Sequence, residues 1–233
     1  MAFTEYTHSD GRKERIVLRA ANPGRSPIIV FHELPGLSAG TMAFGEWLRD
    51  EGFDAHLPLL FGKIGQSSNA GFIQMCVSRE FAMFRSDRDS KITGWLRSLC
   101  HEVAKDAPDG KVGVIGMCAT GGLVLSLIWD DSVGAAVAAQ PSLPFRSARA
   151  DIDASELGAS VASVDRAVES GKPLLVTAFE DDRFCTAARV QAWEQRFGSD
   201  VITTWPGSEH STLVADTTPE IRATLLEFLT ANL

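Results

Sequence analysis

The sequence of 233 residues lacks the features that point to nucleic-acid-binding, membrane or secreted proteins. It contains no run rich in Lys or Arg, and its formal net charge of -8 would repel phosphate backbones and anionic lipids. Its first residues contain no apolar core of a signal peptide. The longest apolar stretches, such as 27–31 and 121–129, are far shorter than a membrane span. We therefore expect a cytoplasmic protein whose partners include neither nucleic acid nor membrane.

Cysteines are few and irregularly spaced, which bears on both disulfides and metals. Cys76, Cys100, Cys118 and Cys185 do not form the framework of a small disulfide-rich protein, because this chain can bury a large core. There is no CxxC pair and no HExxH motif, so the sequence gives no support for a bound metal. We expect neither a metal nor another cofactor.

Segments typical of strands and helices alternate along the chain. This alternation predicts an α/β fold with a mostly parallel central sheet and helices on both faces. The length suits a single domain over residues 1–233. Strands are predicted at 15–20, 27–32, 53–57, 112–116, 134–139, 173–179 and 201–205. Helices are predicted at 41–51, 91–105, 119–129, 157–170, 185–197 and from 217 onward.

The most informative segment is Gly113–Gly122, where a β-branched strand runs directly into a predicted helix. Cys118 occupies the junction, and Gly116 provides the small residue that a nucleophile elbow requires two positions earlier. Thr120, two positions later, meets the same requirement only in part. The helix N-terminus would stabilise a thiolate at Cys118, and the backbone N–H of Ala119 could bind an oxyanion. The pattern predicts that Cys118 is a nucleophile.

A cysteine nucleophile requires a base, and the base requires an orienting carboxylate. His210 lies in a polar loop after the last predicted strand, at the sheet edge where sites form in open α/β sheets. The acid is expected directly after the strand at 173–179, where Asp182 is preferred and Asp181 is the alternative. The resulting order of nucleophile, acid and histidine is that of α/β-hydrolases.

With these residues in place, the chain resembles the dienelactone hydrolase family of α/β-hydrolases over nearly its whole length. Four segments carry the resemblance: His32-Glu-Leu-Pro-Gly36, Gly116-Met-Cys-Ala-Thr-Gly121, Asp182-Arg-Phe-Cys185 and Gly207-Ser-Glu-His210. The resemblance implies hydrolysis of a carboxylic ester or lactone through a triad of Cys118, His210 and Asp182. The implied partner is a small-molecule ester or lactone, and the protein is expected to be a monomer or homodimer.

The resemblance also assigns roles to the segment after the strand at 27–32. Glu33 occupies the place of the family's glutamate, which would contact the resting thiol and swing away when substrate binds. A carboxylate beside a thiol disfavours the thiolate, so Glu33 would keep the cysteine protonated at rest. The backbone N–H groups of Leu34 and Ala119 would form the oxyanion hole.

The sequence departs from the family's pattern at two places. Thr120 stands where the elbow of the family usually has Gly. No arginine follows His210 closely, although dienelactone hydrolases bind the carboxylate of their substrate with an arginine there. Lys63 or Arg79 could serve as the second carboxylate-binding residue. These departures disfavour a dienelactone as the substrate.

Two other functional classes remain open from the sequence. A glutamine amidotransferase also has a cysteine at a strand–helix turn, but its acid lies two positions after the histidine, where this chain has Thr212. A non-catalytic binding protein of the same fold is the other alternative, although all three triad candidates are present.

Overall fold

One eight-stranded sheet organises the residues that the structure, a computed structural model, describes: 3–65, 92–142 and 157–233. The strand order is β1-β2-β4-β3-β5-β6-β7-β8. The pairings β1–β2 and β2–β4 are antiparallel, and all others are parallel, which confirms the predicted mostly parallel sheet. The strands are β1 Phe3–Ser9, β2 Glu14–Ala20, β3 Pro27–Phe31, β4 Asp54–Pro58, β5 Val112–Met117, β6 Val133–Ala139, β7 Leu174–Phe179 and β8 Ile202–Trp205.

Within the described residues, five α-helices cover the two faces of the sheet. The apolar faces of α1 and α5 pack in one buried cluster, and those of α2, α3 and α4 pack in a second cluster on the opposite side. No helix within the described ranges is long and apolar enough to cross a membrane. The helices are α1 Ala39–Asp50, α2 Ile92–Ala104, α3 Val161–Ser170, α4 Ala187–Phe197 and α5 Pro219–Asn232.

The central strands are buried on both sides because successive side chains point to opposite faces. In β3, for example, Ile29 belongs to the cluster with α2, whereas Ile28 and Val30 belong to the cluster with α1. Every residue of β3, β4, β5 and β7 is buried. Such runs are typical of parallel strands covered by helices, which is why the sequence located them.

The helix predicted at 119–129 is a 3-10 helix over Cys118–Ser126. Neighbouring backbone crowds it: a Cβ atom on Gly122 would lie 2.3 Å from the carbonyl oxygen of Leu157. A Cβ atom on Gly121 would lie 2.8 Å from Pro141. The 3-10 geometry is narrower than an α-helix, so it suits this close approach. The predicted helix is confirmed, and the structure shows that its type is 3-10.

The first strand, β1, lies in a segment for which the sequence predicted no strand. Most of its side chains are exposed or half-buried, and only His8 is buried. Its backbone pairs with β2 from Phe3–Ala20 through Ser9–Glu14. An edge strand of this kind gives no apolar alternation, because most of its side chains meet water on both faces.

The fold brings the carboxyl ends of β3, β5, β6, β7 and β8 to one edge of the sheet. Each of these strands is parallel to its neighbour, so the loops that follow them meet there. Each candidate site residue follows one of these five strands, either as the first residue after the strand or within the loop that comes next.

Candidate active site

Cys118 lies at a sharp turn between β5 and the 3-10 helix. Its φ angle is 53°, in the left-handed region that residues other than glycine rarely adopt. A Cβ atom on Gly116 would lie 2.4 Å from the carbonyl oxygen of Thr120, so only glycine fits two positions before the cysteine. This is the strained strand–turn–helix geometry of a nucleophile elbow.

Thr120, the departure from the family's pattern, joins the elbow to the neighbouring strand. Its hydroxyl accepts a hydrogen bond from the Met117 N–H at 2.9 Å. The same oxygen lies 2.9 Å from the carbonyl oxygen of Phe31 and 3.4 Å from that of His32. The Met117 carbonyl oxygen lies 2.8 Å from the same hydroxyl, whose single proton is donated to one of these acceptors at a time. A glycine would leave these buried groups without this partner, so the threonine links the elbow to the end of β3.

His210 and Asp182 form a short hydrogen-bonded pair. Nδ1 of His210 lies 2.6 Å from Oδ2 of Asp182, whose side chain is fully buried. The other carboxylate oxygen accepts the backbone N–H groups of Phe184 and Cys185 at 2.7 and 3.1 Å. These bonds orient the carboxylate toward the imidazole. Asp181, the alternative acid, is exposed.

The environment of His210 favours its protonated form. Burial lowers the pKa of His210, but the hydrogen bond to Asp182 and the nearby sulfur of Cys118 outweigh this effect, and its pKa is raised to about 10. Nε2 is buried and has no partner of standard hydrogen-bond geometry among the described residues. We therefore regard Cys118 as a close neighbour of the ring rather than as a well-aligned partner, a common arrangement at unliganded catalytic sites.

Among the residues that the structure describes, the sulfur of Cys118 has one well-defined polar partner, Ser142. Sγ lies 3.1 Å from Oγ of Ser142, and both residues are buried. The Ser142 N–H also donates to the carbonyl oxygen of Cys118 at 3.1 Å. Ser142 therefore holds both the backbone and the side chain of the elbow residue.

The Glu33 carboxylate bonds to Ser211 and Gln140. The Ser211 hydroxyl donates to it at 3.0 Å, and the Gln140 amide donates at 3.3 Å. Burial raises the pKa of Glu33, although these two hydrogen bonds oppose the shift. The implied contact between Glu33 and the resting thiol stays a prediction, because the carboxylate here bonds to the loops after β6 and β8.

Leu34 and Ala119, the expected oxyanion-hole residues, lie in the loops that follow β3 and β5. Both are buried and belong to the same packed cluster as Cys118. Ala119 is the residue directly after the nucleophile, in the first turn of the 3-10 helix. Backbone N–H groups at the start of a helix are available to an anion, because they have no partner inside the helix.

Sequence reasoning missed three polar residues of this site: Gln140, Ser142 and Ser211. Gln140 and Ser142 directly follow β6, at the same sheet edge as the predicted triad. That position was the available signal, since polar residues directly after buried parallel strands tend to line sites. Ser211 directly follows His210. In that segment the sequence indicated only the absence of an arginine, and the serine was not recognised as a site residue.

Other predicted features are placed as follows. Of the two candidates for binding a substrate carboxylate, Lys63 is exposed and Arg79 lies outside the described residues. Cys100 and Cys185 are free and buried, and Cys76 also lies outside the described residues. Within the described ranges, no group of three or more His, Cys, Asp or Glu side chains could hold a metal ion.

Comparison with solved structures shows the fold. A putative dienelactone hydrolase from Klebsiella pneumoniae is 16% identical, with a TM-score of 0.69 and coverage of 99% of this chain and 98% of that chain. A dienelactone hydrolase-like promiscuous phosphotriesterase from metagenomic libraries is 16% identical, with a TM-score of 0.68 and coverage of 99% and 98%. Est1E from Butyrivibrio proteoclasticus is 14% identical, with a TM-score of 0.63 and coverage of 97% and 99%.

A search of curated proteins finds no match to this chain. The sequence profile of the dienelactone hydrolase family, in contrast, matches residues 15–223. That range contains the elbow, the His–Asp pair and the loop after β3. The sheet topology and the predicted class of carboxylic ester hydrolase agree with this match. The chain therefore belongs to the dienelactone hydrolase family, within the α/β-hydrolase fold.

Proposed function

We propose that this protein hydrolyses a carboxylic ester or lactone through a triad of Cys118, His210 and Asp182. The observation that carries the proposal is the 2.6 Å bond between His210 and the buried Asp182, beside a cysteine held at a φ angle of 53°. A buried carboxylate that orients an imidazole next to a strained cysteine is the arrangement of thiol acyl transfer.

In the first half of the reaction, the Cys118 thiolate attacks the carbonyl carbon of the ester. The carbonyl oxygen gains the negative charge, which the backbone N–H groups of Leu34 and Ala119 stabilise. The tetrahedral intermediate collapses as the C–O bond breaks, and protonated His210 donates its Nε2 proton to the departing alkoxide. The product is a thioester on Cys118. With a lactone, the released hydroxyl stays attached to the acyl group.

In the second half, water hydrolyses this thioester. His210, now neutral, accepts a proton from water while the water oxygen attacks the thioester carbon. The same N–H groups stabilise the second oxyanion, and the C–S bond breaks to release the carboxylic acid and the thiolate. Asp182 stabilises the imidazolium ring whenever His210 holds the extra proton.

Glu33 would modulate the thiol from its place beside the site. While Ser211 and Gln140 donate hydrogen bonds to its carboxylate, the negative charge of Glu33 points toward these donors and does not disfavour the Cys118 thiolate. Rotation toward Cys118 would place two negative charges together, which disfavours the thiolate. Glu33 would therefore lower the population of the reactive form whenever it turns toward the sulfur.

The proposal is tested by hydrolysis of p-nitrophenyl acetate by wild-type protein and by Cys118→Ala. We expect the substitution to reduce kcat/KM by about 10³-fold or more, because the nucleophile is lost. Cys185→Ala is the matched control, since Cys185 is also a buried free cysteine. Equal rates for wild type and Cys118→Ala would falsify the nucleophile assignment. Lack of hydrolysis by the wild type across a panel of short-chain esters and lactones would favour the non-catalytic alternative.

Three broader expectations accompany this proposal. We propose a single domain over residues 1–233, a cytoplasmic location and a monomer or homodimer. Limited proteolysis, cell fractionation and light scattering test these three expectations in turn. A stable proteolytic fragment that retains the fold, recovery outside the cytoplasm, or a larger assembly would contradict the corresponding expectation.

A further inference from the structure

His32 is a fully buried histidine that the proposed mechanism does not use. It directly follows β3, and its ring packs edge-on against Phe61 with 4.4 Å between ring centroids. Its two nitrogens each meet a backbone group. Nε2 lies 3.1 Å from the Leu60 nitrogen, and Nδ1 lies 2.9 Å from the carbonyl oxygen of Glu33.

These two contacts determine which nitrogen of His32 holds the proton. The Leu60 N–H is a donor only, so Nε2 must accept and is unprotonated. The Glu33 carbonyl oxygen is an acceptor only, so Nδ1 must donate its proton. Burial lowers the pKa of His32 to about 4, so the neutral ring that this pattern requires is present at neutral pH. The ring is thus a fixed donor to one specific carbonyl group.

That carbonyl group belongs to the same peptide unit as the Leu34 N–H. The Glu33–Leu34 peptide bond is trans, so its C=O and N–H bonds point in opposite directions within one rigid plane. A donor that fixes the direction of the carbonyl oxygen therefore also fixes the direction of the N–H. Within the described residues, the Leu34 N–H has no hydrogen-bond acceptor of its own. It remains available for an external anion.

The other side of this loop is also anchored. The Thr120 hydroxyl lies close to the carbonyl oxygens of Phe31 and His32, which fixes the end of β3 relative to the elbow. The Leu60 N–H then fixes the His32 ring against the loop after β4. The peptide after His32 is consequently positioned from two strands, independently of any contact to the Glu33 carboxylate.

We infer that His32 is a positioning residue for the oxyanion hole: its Nδ1–H holds the Glu33–Leu34 peptide so that the Leu34 N–H faces the reacting carbonyl oxygen. The inference rests on the proposed function, because it assigns a role within that reaction. His32 does not touch the substrate. A peptide flip, which its Nδ1–H prevents, would replace the oxyanion donor with a carbonyl oxygen and remove the stabilisation.

The experiment compares two reactions of Cys118, only one of which forms an oxyanion. Acylation by p-nitrophenyl acetate passes through a tetrahedral intermediate, whereas alkylation by iodoacetamide is a direct displacement at carbon. In His32→Leu, we expect the acylation rate to fall about 10²-fold, the effect of losing one oxyanion donor. Alkylation should stay within about twofold of wild type, since it requires only the thiolate. His32→Gln should recover most of the acylation rate, because one carboxamide can donate to Glu33 and accept from Leu60.

The control is His56→Leu, which removes another buried histidine, in β4, whose ring contacts Tyr6 and Asp54 rather than the loop after β3. This variant should lose thermal stability and keep both rates. Parallel losses of acylation and alkylation in His32→Leu would show a merely structural role and overturn the inference. Unchanged acylation in that variant would overturn it equally. A wild type that is alkylated but never acylated would instead contradict the proposed function, and the role assigned to His32 with it.

Discussion

The pairs His210–Asp182 and His56–Asp54 lie in different parts of the same sheet, and their surroundings differ. At the parallel end, Nδ1 of His210 lies 2.6 Å from Asp182. At the antiparallel end, Nε2 of His56 lies 3.6 Å from Asp54, and Nδ1 of His56 lies 2.8 Å from the hydroxyl of Tyr6. Residue types alone would not separate these two pairs.

The difference lies in what else each carboxylate binds. Asp54 forms an ion pair with Arg19 and accepts the Asn22 N–H. Burial acts to raise the pKa of Asp54, but His56 and Arg19 outweigh it and hold the pKa below its ordinary range. The carboxylate of Asp182 accepts two backbone N–H groups on one oxygen and presents the other to His210. An aspartate already neutralised by arginine supports the fold, whereas one directed to an imidazole beside a thiol can support proton transfer.

The largest expected effect is a difference in kcat/KM between variants of the two histidines. His210→Gln should reduce kcat/KM for p-nitrophenyl acetate by about 10³-fold or more, because the base and its imidazolium are lost. His56→Gln should change kcat/KM by less than about twofold, because His56 contacts Tyr6 and Asp54 and, among the described residues, shares no partner with the proposed triad. Steady-state kinetics on both variants measures this contrast, and comparable losses would show that the two pairs do not differ in function.

The next prediction concerns stability instead of activity, and it applies to the His56–Asp54 pair. Asp54→Asn should lower the free energy of unfolding by about 2 kcal/mol, because Arg19 and His56 lose a charged partner; partial exposure of Arg19 reduces the loss. Its kcat/KM should be unchanged. Urea unfolding monitored by circular dichroism provides the free energy. A fully active variant of unchanged stability would show that the Asp54 ion pair contributes nothing to the fold.

An effect of similar size is expected in the pH dependence of stability. The pKa of folded His210 is raised to about 10 and exceeds its unfolded value, so the folded state binds the proton more tightly. The resulting stabilisation is complete below the unfolded pKa of about 6.5 and disappears as the pH rises toward the folded value. Wild type should therefore lose on the order of 2 kcal/mol more than His210→Gln between pH 7 and pH 10. Identical pH profiles for the two proteins would show that the His210–Asp182 pair does not retain its proton.

Much of the fold was accessible from the sequence because the central strands are buried on both faces. Their continuous apolar runs, such as those at β3 and β5, leave a pattern that periodicity detects. The cap of α5 was equally visible: the Thr218 hydroxyl accepts the Ile221 N–H, and Pro219 begins the helix. The strand β1 was not visible, since its pairing is through the backbone and its side chains are mostly polar.

The candidate site was predictable where chemistry depends on residue order, and less so where it depends on hydrogen bonds between loops. The elbow glycine and the order of Cys118, Asp182 and His210 could be identified from spacing. The partners of Glu33 and Cys118 could not, because Gln140, Ser142 and Ser211 come from loops that meet only in the folded sheet. The role inferred for His32 depends on two backbone contacts, to Glu33 and Leu60, that exist only in the folded protein.

The most direct test of the account is to identify the covalent intermediate by mass spectrometry. Wild-type protein is mixed with p-nitrophenyl acetate, quenched in acid within the first turnover and digested. We expect the mass of one acetyl group on the peptide that contains Cys118, and none in the presence of a prior alkylation by iodoacetamide. Continued hydrolysis with the acetyl group on another residue, or with no acetylated peptide at any quench time, would contradict a reaction through Cys118.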